Sequence, residues 1–246
     1  MRAACKLASI ILDKVSSMIC PGITTKDVDD AAAKLMANSG CRSAFLGYRK
    51  FPGHICISLN DEVVHGIGST RRIQYGDVVK LDIGVILNGF VGDTAATIPV
   101  GVVADDVQRL LVVTEEALYK GIEKAREGRR LSEVCAAIQD EVEMNSFSVV
   151  REFVGHGVGR KLHEEPQIPN YRTPGTTAKL KAGMTLAIEP MVNLGRSAVK
   201  VLDDNWTVVT ADHLPSAHFE HTVLVTKAEP EILTWREKMS SKLRAK

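Results

Sequence analysis

Residues 81–94 read LDIGVILNGFVGDT. Asn88-Gly89 is a strong two-residue hairpin signal. The flanking residues are apolar, small or turn-forming, except for two aspartates, Asp82 and Asp93. With Asn88-Gly89 as the turn, Leu87 lies opposite Phe90, Gly84 opposite Asp93 and Asp82 opposite Ala95. Side chains alternate faces along a strand, so Asp82, Gly84 and Ile86 share a face with Val91, Asp93 and Ala95. The two carboxylates become diagonal neighbours about 7–8 Å apart at the backbone, with Gly84 leaving space between them. Two ionised carboxylates so placed repel, and burial makes this worse. A shared proton, a basic partner or a metal relieves the cost. Taken alone, the hairpin fits a wet, solvent-facing pair of acids at least as well.

The C-terminal half changes that balance. TLAIEPM (185–191) puts Glu189 at the end of an apolar strand, and AHFEHTVLVT (217–226) puts Glu220 inside another. Acids rarely occupy such strands unless paired or liganded. GHGVGRKLHEEP (155–166) adds His156, between two glycines, and His163. A single histidine is usually a satisfied core or surface residue, but these accompany four acids in improbable places. Gly155, Gly157 and Gly159 permit close backbone approach, while GHGVG makes a poor phosphate loop because no helix pattern follows it. Four carboxylates and one imidazole form a hard, oxygen-rich donor set. It suits a pair of divalent ions such as Mn, Fe or Co, with Zn a further candidate. Two such ions about 3.5–4 Å apart can share a bridging water and lower its pKa.

The 246 residues are 45% hydrophobic and 25% charged, with a net charge of +1. A sizeable core is affordable, and nothing at whole-chain level points to DNA or to an anionic membrane. The tail from Arg236 to Lys246 is basic, and a solvated terminus is its simplest reading. Five cysteines, odd in number and without a CxxC, fit reduced thiols in a cytoplasmic protein. The N-terminal apolar run stops at Asp13-Lys14. Leu7, Ile10, Ile11, Val15, Met18 and Ile19 fall instead on one helical face. Asn205-Trp206-Thr207 matches a glycosylation sequon and, without an export signal, is read as chance.

The pattern predicts helices over 2–19, 24–39, 105–126 and 132–145. It predicts strands at 54–59, 78–97, 148–154, 184–189 and 217–226. Each half runs long helix, glycine break, shorter helix, strands. PGITTKDVDDAAAKL (21–35) and EGRRLSEVCAAIQDE (127–141) share Gly-x5-Val and a following Ala-Ala. Two similar α+β halves around one core are expected, without a Pro-, Gly- or Ser-rich linker.

Four stretches in order, VVKLDIGVILNGFVGDT (78–94), VVREFVGHGVGRKLHEEPQ (149–167), MTLAIEPMVN (184–193) and SAHFEHTVLVT (216–226), resemble the type I methionine aminopeptidases over essentially the whole chain. That resemblance implies an α+β pita-bread fold: one catalytic domain over 1–246, with pseudo-symmetric halves near 1–100 and 101–246 around a mostly antiparallel sheet with helices outside. It implies five metal ligands at Asp82, Asp93, His156, Glu189 and Glu220. Asp82 would chelate one ion, His156 and Glu189 the other, and Asp93 and Glu220 would bridge. Glu189 would also take the proton of the attacking water. His65, in NDEVVHGI (60–67), would contact substrate and assist proton movement, and His163 would stabilise the tetrahedral intermediate. The methionine pocket would be lined by Tyr48, Phe51, Cys56, His65 and Trp206, with Phe45 and Leu162 nearby. Aromatic faces and a soft thiol suit a thioether. Main-chain groups at Asn60, Glu62 and Ser216 would hold a monovalent cation. His221 faces away from Glu220 and reads as a packed, hydrogen-bonded histidine.

The expected substrate is a peptide or nascent chain with N-terminal methionine and a small second residue, and the expected state is a cytoplasmic monomer. Ribosome association is a family-level expectation with no visible surface signature. Prolidases and aminopeptidase P share the fold but carry an additional N-terminal domain. Type II methionine aminopeptidases insert a helical segment between the two glutamates, which the short Glu189–Glu220 interval does not accommodate. Non-catalytic relatives of the fold lose ligands, whereas all five are present here.

Overall fold

The computed structural model describes residues 1–174 and 178–238. Helices α1 (Arg2–Ser16) and α2 (Thr25–Asn38) open the chain. Thr24 and Asp27 form the reciprocal cap that starts α2: the Thr24 hydroxyl accepts from the Asp27 N–H at 3.0 Å, and the Asp27 carboxylate accepts from the Thr24 N–H at 3.1 Å. The buried stripe of α1 is Ala4, Cys5, Ala8, Ser9, Ile11, Leu12 and Val15; of the expected face Ile11 and Val15 are buried and Leu7 and Ile19 pack partly buried against the core. Ile10 and Met18 stand exposed. The helix turns its small residues inward because it lies almost on backbone. A Cβ at Gly92 would meet the Ala4 carbonyl and the Cys5 nitrogen at 2.5 Å.

Next come β1 (Arg42–Ser43), a short 3-10 turn over Tyr48–Lys50, β2 (Cys56–Leu59), β3 (Glu62–Val64), β4 (Val78–Leu87) and β5 (Phe90–Pro99). β4 and β5 form the antiparallel hairpin read from Asn88-Gly89, with Leu87 opposite Phe90, Gly84 opposite Asp93 and Asp82 opposite Ala95. The other edge of β4 pairs with β1 and β2. Helices α3 (Asp105–Lys124) and α4 (Leu131–Met144) follow.

The remaining strands are β6 (Ser148–Val149), β7 (Gly155–Gly157), β8 (Glu164–Ile168), β9 (Thr185–Ile188), β10 (Met191–Asn193), β11 (Val199–Val201), β12 (Val208–Thr210), β13 (Ser216–His218), β14 (His221–Leu224) and β15 (Glu231–Ile232). They build the antiparallel sheets β15-β14-β9-β7-β8, β13-β10-β6 and, with β3, β11-β12-β3. Two strand expectations change. The strand expected over 148–154 ends at Val149, and the strand expected over 217–226 breaks at Phe219-Glu220. There the backbone hangs on the hairpin instead: the Glu220 N–H donates to the Ala95 carbonyl at 3.0 Å, and the Thr94 hydroxyl donates to the Glu220 carbonyl at 2.9 Å. The break brings Glu220 beside Asp93.

A single apolar cluster draws on both halves of the chain, from Ile11 and Leu81 to Leu110, Val134, Leu186 and Phe219. The basic tail is not wholly solvated. Arg236 is buried and donates to the Thr94 hydroxyl at 2.7 Å and to the Ala95 carbonyl. Lys242, Arg244 and Lys246 of that tail lie outside the described residues. Among the described residues no helix is long and apolar enough to cross a membrane.

Candidate metal centre

The five expected ligands reach one place from five segments: Asp82 from β4, Asp93 from β5, His156 from β7, Glu189 from the end of β9, and Glu220 from the break between β13 and β14. All five line one cavity of about 240 Å³. Asp93, His156 and Glu220 offer donor atoms within 4.8 Å of one another. The His156 Nε2 lies 3.3 Å from Glu189 Oε1 and 3.9 Å from Asp93 Oδ2. A Cβ at Gly84 would strike the ring of Phe45, which lines the cavity, at 2.4 Å, so glycine is what admits that ring against β4.

The electrostatics of these side chains favour a bound cation. Burial pushes Asp82 and Glu189 up to about 7, with His218 and His156 respectively opposing the shift. Burial and their acidic neighbours drive Asp93 and Glu220 well above the carboxylate range. Asp82 Oδ1, Asp93 Oδ1 and Glu220 Oε1 are buried without a hydrogen-bond partner. Buried polar atoms are normally satisfied, and clustered, unpartnered carboxylate oxygens fit a divalent cation. The His156 Nδ1 lies 2.9 Å from the Gly157 carbonyl. Donation there leaves Nε2 as a lone pair facing the acids, the arrangement typical of a ligating histidine.

The other expected residues line the same cavity. Tyr48, Phe45, Phe51, Cys56, Leu162 and Trp206 form an apolar wall, with Phe51 and Trp206 edge to face at 5.0 Å between centroids. His65 packs edge-on against Phe153 and Trp206, and burial lowers it to about 4, so it is neutral at pH 7. His163 lies 4.2 Å from His156 between ring centroids, and its Nδ1 meets the Tyr48 hydroxyl at 2.7 Å. Burial, followed by the nearby Arg49 charge, lowers its pKa. His221 is fully buried, with Thr234 on Nδ1 at 2.9 Å and Tyr119 on Nε2 at 3.3 Å, in keeping with a packing role.

Sequence reasoning missed several neighbours. Val64, Phe153 and Met191 complete the apolar wall. Asn170 is buried and donates to the Glu189 carbonyl at 3.1 Å. His218, two residues before Glu220, is buried with its Nε2 unpartnered and 3.6 Å from Glu189 Oε2. Its place in SAHFEHT was the available signal. The expected monovalent-cation residues lie away from the cavity. The carbonyls of Asn60 and Ser216 accept from the Lys80 ammonium at 2.6 and 3.2 Å, and the Glu62 carboxylate is taken by Arg71 and the Leu59 N–H. Burial pulls Lys80 down to about 7, while Glu62, Asp61 and Asp77 favour its charged form.

Comparison with known proteins places this geometry. Residues 1–227 match metallopeptidase family M24. The chain is 51% identical to methionine aminopeptidase 1 of Bacillus subtilis, over 95% of this chain and 94% of that one. Its structure matches that of the methionine aminopeptidase of Thermotoga maritima with a TM-score of 0.93 at 44% identity, covering 96% and 95% of the two chains. The prolidase of Pyrococcus furiosus, 25% identical, matches with a TM-score of 0.78 over 96% of this chain and 63% of its own. The architecture is thus the pita-bread fold that these enzymes share. The chain belongs to metallopeptidase family M24 and, within it, to the methionine aminopeptidases.

Proposed function

We propose that the protein is a divalent-metal-dependent aminopeptidase that removes the N-terminal methionine from peptides and nascent chains whose second residue is small. The observation that carries this reading is the group of buried, unpartnered carboxylates opening onto an apolar, aromatic cavity. Asp82, Asp93, His156, Glu189 and Glu220 would hold two ions of Mn, Fe or Co, with Zn a further candidate. Divalent ions in such a site act as Lewis acids and lower the pKa of a water enough to make it a nucleophile at neutral pH.

The chain's own groups supply the rest. Glu189, which lines the cavity with its Oε1 3.3 Å from His156 Nε2, would accept a proton at its carboxylate and pass it to the leaving amine. When the Tyr48 hydroxyl donates to His163 Nδ1, the proton of the neutral ring sits on Nε2. That N–H is free to donate to the scissile carbonyl oxygen, where negative charge develops. His65, kept neutral by burial in the cavity wall, would contact the substrate and assist proton movement. Phe51, Trp206, Tyr48 and Cys56 offer polarisable surface to a thioether and exclude water around it. The restriction to small second residues, a monomeric state, a cytoplasmic location, ribosome association and a single domain over 1–246 are the finer parts of the proposal.

The test is hydrolysis of Met-Ala-Ser and Met-Phe-Ser after chelation, then after adding Mn, Fe or Co. Metal-restored cleavage of the first peptide, with little of the second, is expected. No restored activity on Met-Ala-Ser rejects the enzymatic reading, and equal rates on both peptides reject the size rule.

A further inference from the structure

Lys80, the third residue of β4, is only 1% exposed. An ammonium that deep normally sits on a carboxylate. Here its hydrogen-bond partners are two main-chain carbonyls, of Asn60 at 2.6 Å and Ser216 at 3.2 Å. The nearby acids are engaged elsewhere: Glu62 with Arg71, Asp61 with His213, and Asp77 with the Asn60 amide and the Gln74 N–H. Carbonyl oxygens converging on a compact monovalent charge are the coordination that a bare alkali ion receives from backbone.

Its two partners belong to the two halves of the chain. Asn60 forms a left-handed turn, φ 52°, between β2 and β3. Its side chain is locked to Val78 and Asp77, and its carbonyl also accepts from the Ser216 N–H at 3.0 Å. Ser216 opens β13, four residues before Glu220, and its hydroxyl contacts Val192 and Asn193 just after Glu189. Lys80 itself shares a strand face with Asp82, two residues on. One ammonium therefore ties the strand bearing Asp82 to the segments bearing Glu189 and Glu220.

We propose that Lys80 is a covalently carried monovalent cation, a positioning residue that clamps the Asn60 turn to the Ser216 strand and so sets the spacing of carboxylates contributed by opposite halves. The native protein then needs no alkali ion there, whereas truncating the side chain leaves a carbonyl-lined gap that accepts one.

The experiment measures Mn²⁺ affinity by calorimetry, together with kcat and KM on Met-Ala-Ser. It compares native protein, Lys80→Ala and Lys80→Met, each in K⁺, Na⁺, n-propylammonium and choline chloride at fixed ionic strength. Native values are expected to be the same in all four salts. Lys80→Ala is expected to lose about tenfold or more in Mn²⁺ affinity, the scale set by an outer-layer support, and in kcat with KM little changed. K⁺ or n-propylammonium is expected to restore most of that loss, and choline is not. Lys80→Met, which fills the gap without charge, stays impaired in every salt. Salt-specific activation of the native protein overturns the inference and is readable even if a variant fails to fold. So does a Lys80→Met protein with native Mn²⁺ affinity, or a Lys80→Ala loss that no cation repairs. The affinity and kinetic readouts rest on the metal-site reading. Absence of Mn²⁺ binding in the native protein would refute that reading, separately from Lys80.

Discussion

Two residues apart on one face of β4, Asp82 and Lys80 meet burial in opposite ways. The Lys80 ammonium is met by two main-chain carbonyls. Asp82 leaves one oxygen with no partner, beside Asp93 and Glu220 in the same condition. The same contrast recurs across β5, where Arg236 is satisfied by Thr94 and Ala95 immediately after the unsatisfied Asp93. A charge whose role is structural is given its partners by the fold. A charge intended for a ligand is left without them, at a standing cost in stability.

The sharpest way to break this comparison is to neutralise one member of each class. Glu220→Gln removes a ligand worth several kcal/mol of transition-state stabilisation, so kcat/KM on Met-Ala-Ser should fall at least about a thousandfold. The metal-free variant should melt no lower than the metal-free parent, because an acid that burial and its acidic neighbours already disfavour is gone. A clear drop in the melting temperature of the metal-free variant would mean that the acids are structural after all. His163→Ala removes a donor asked for only in the transition state. The expected loss is about a hundredfold in kcat, with the metal content by elemental analysis unchanged. Metal loss in that variant would move His163 into the ligand set.

Arg236→Met should behave in the opposite sense to Glu220→Gln. It removes two buried, charge-assisted hydrogen bonds, to the Thr94 hydroxyl and the Ala95 carbonyl, which keep only their bonds to Glu220, and costs about 3 kcal/mol. That corresponds to a fall of about 6–12 °C in melting temperature for a chain of this size. A shift below about 2 °C would show that their bonds to the Glu220 backbone suffice without Arg236.

The smallest expected effect is on pH. In the metal-free protein Asp82 and Glu189 sit near 7, above their unfolded values. Stability tied to them is present at low pH and is lost as pH rises through 7, because folding then holds charges that burial disfavours. The melting gap between metal-loaded and metal-free protein should therefore widen between about pH 5.5 and pH 8. Metal binding should release more protons at pH 6 than at pH 8, as calorimetry in two buffers would measure. A gap that narrows with pH would contradict the assigned shifts.

How much of this was legible beforehand follows the same division. The Asn88-Gly89 turn fixed the hairpin register, and with it the shared face of Asp82 and Asp93, because hairpin geometry is local. Acids at Glu189 and Glu220 stood out because they interrupt apolar runs. The supports did not stand out. Lys80 and Arg236 are held by backbone carbonyls of distant segments, and a carbonyl carries no residue-specific signal. His218 was passed over because a histidine next to a strong motif has an ordinary reading. The break in the strand at Glu220 was invisible for a related reason: its backbone bonds to β5, a partner more than a hundred residues earlier. The buried face of α1 was only half legible, because its first turns pack Ala4 and Cys5 closely against Gly92, where small side chains rather than large apolar ones fit.

The central claim is that the unpartnered carboxylates surround divalent ions. Crystals of the chelated protein soaked in Mn²⁺ and measured for anomalous scattering test it most directly. The account predicts strong peaks inside the cavity, within coordination distance of Asp93, His156 and Glu220, with Asp82 and Glu189 completing the shell. Peaks only at surface acids, or none beside these five side chains, would contradict it.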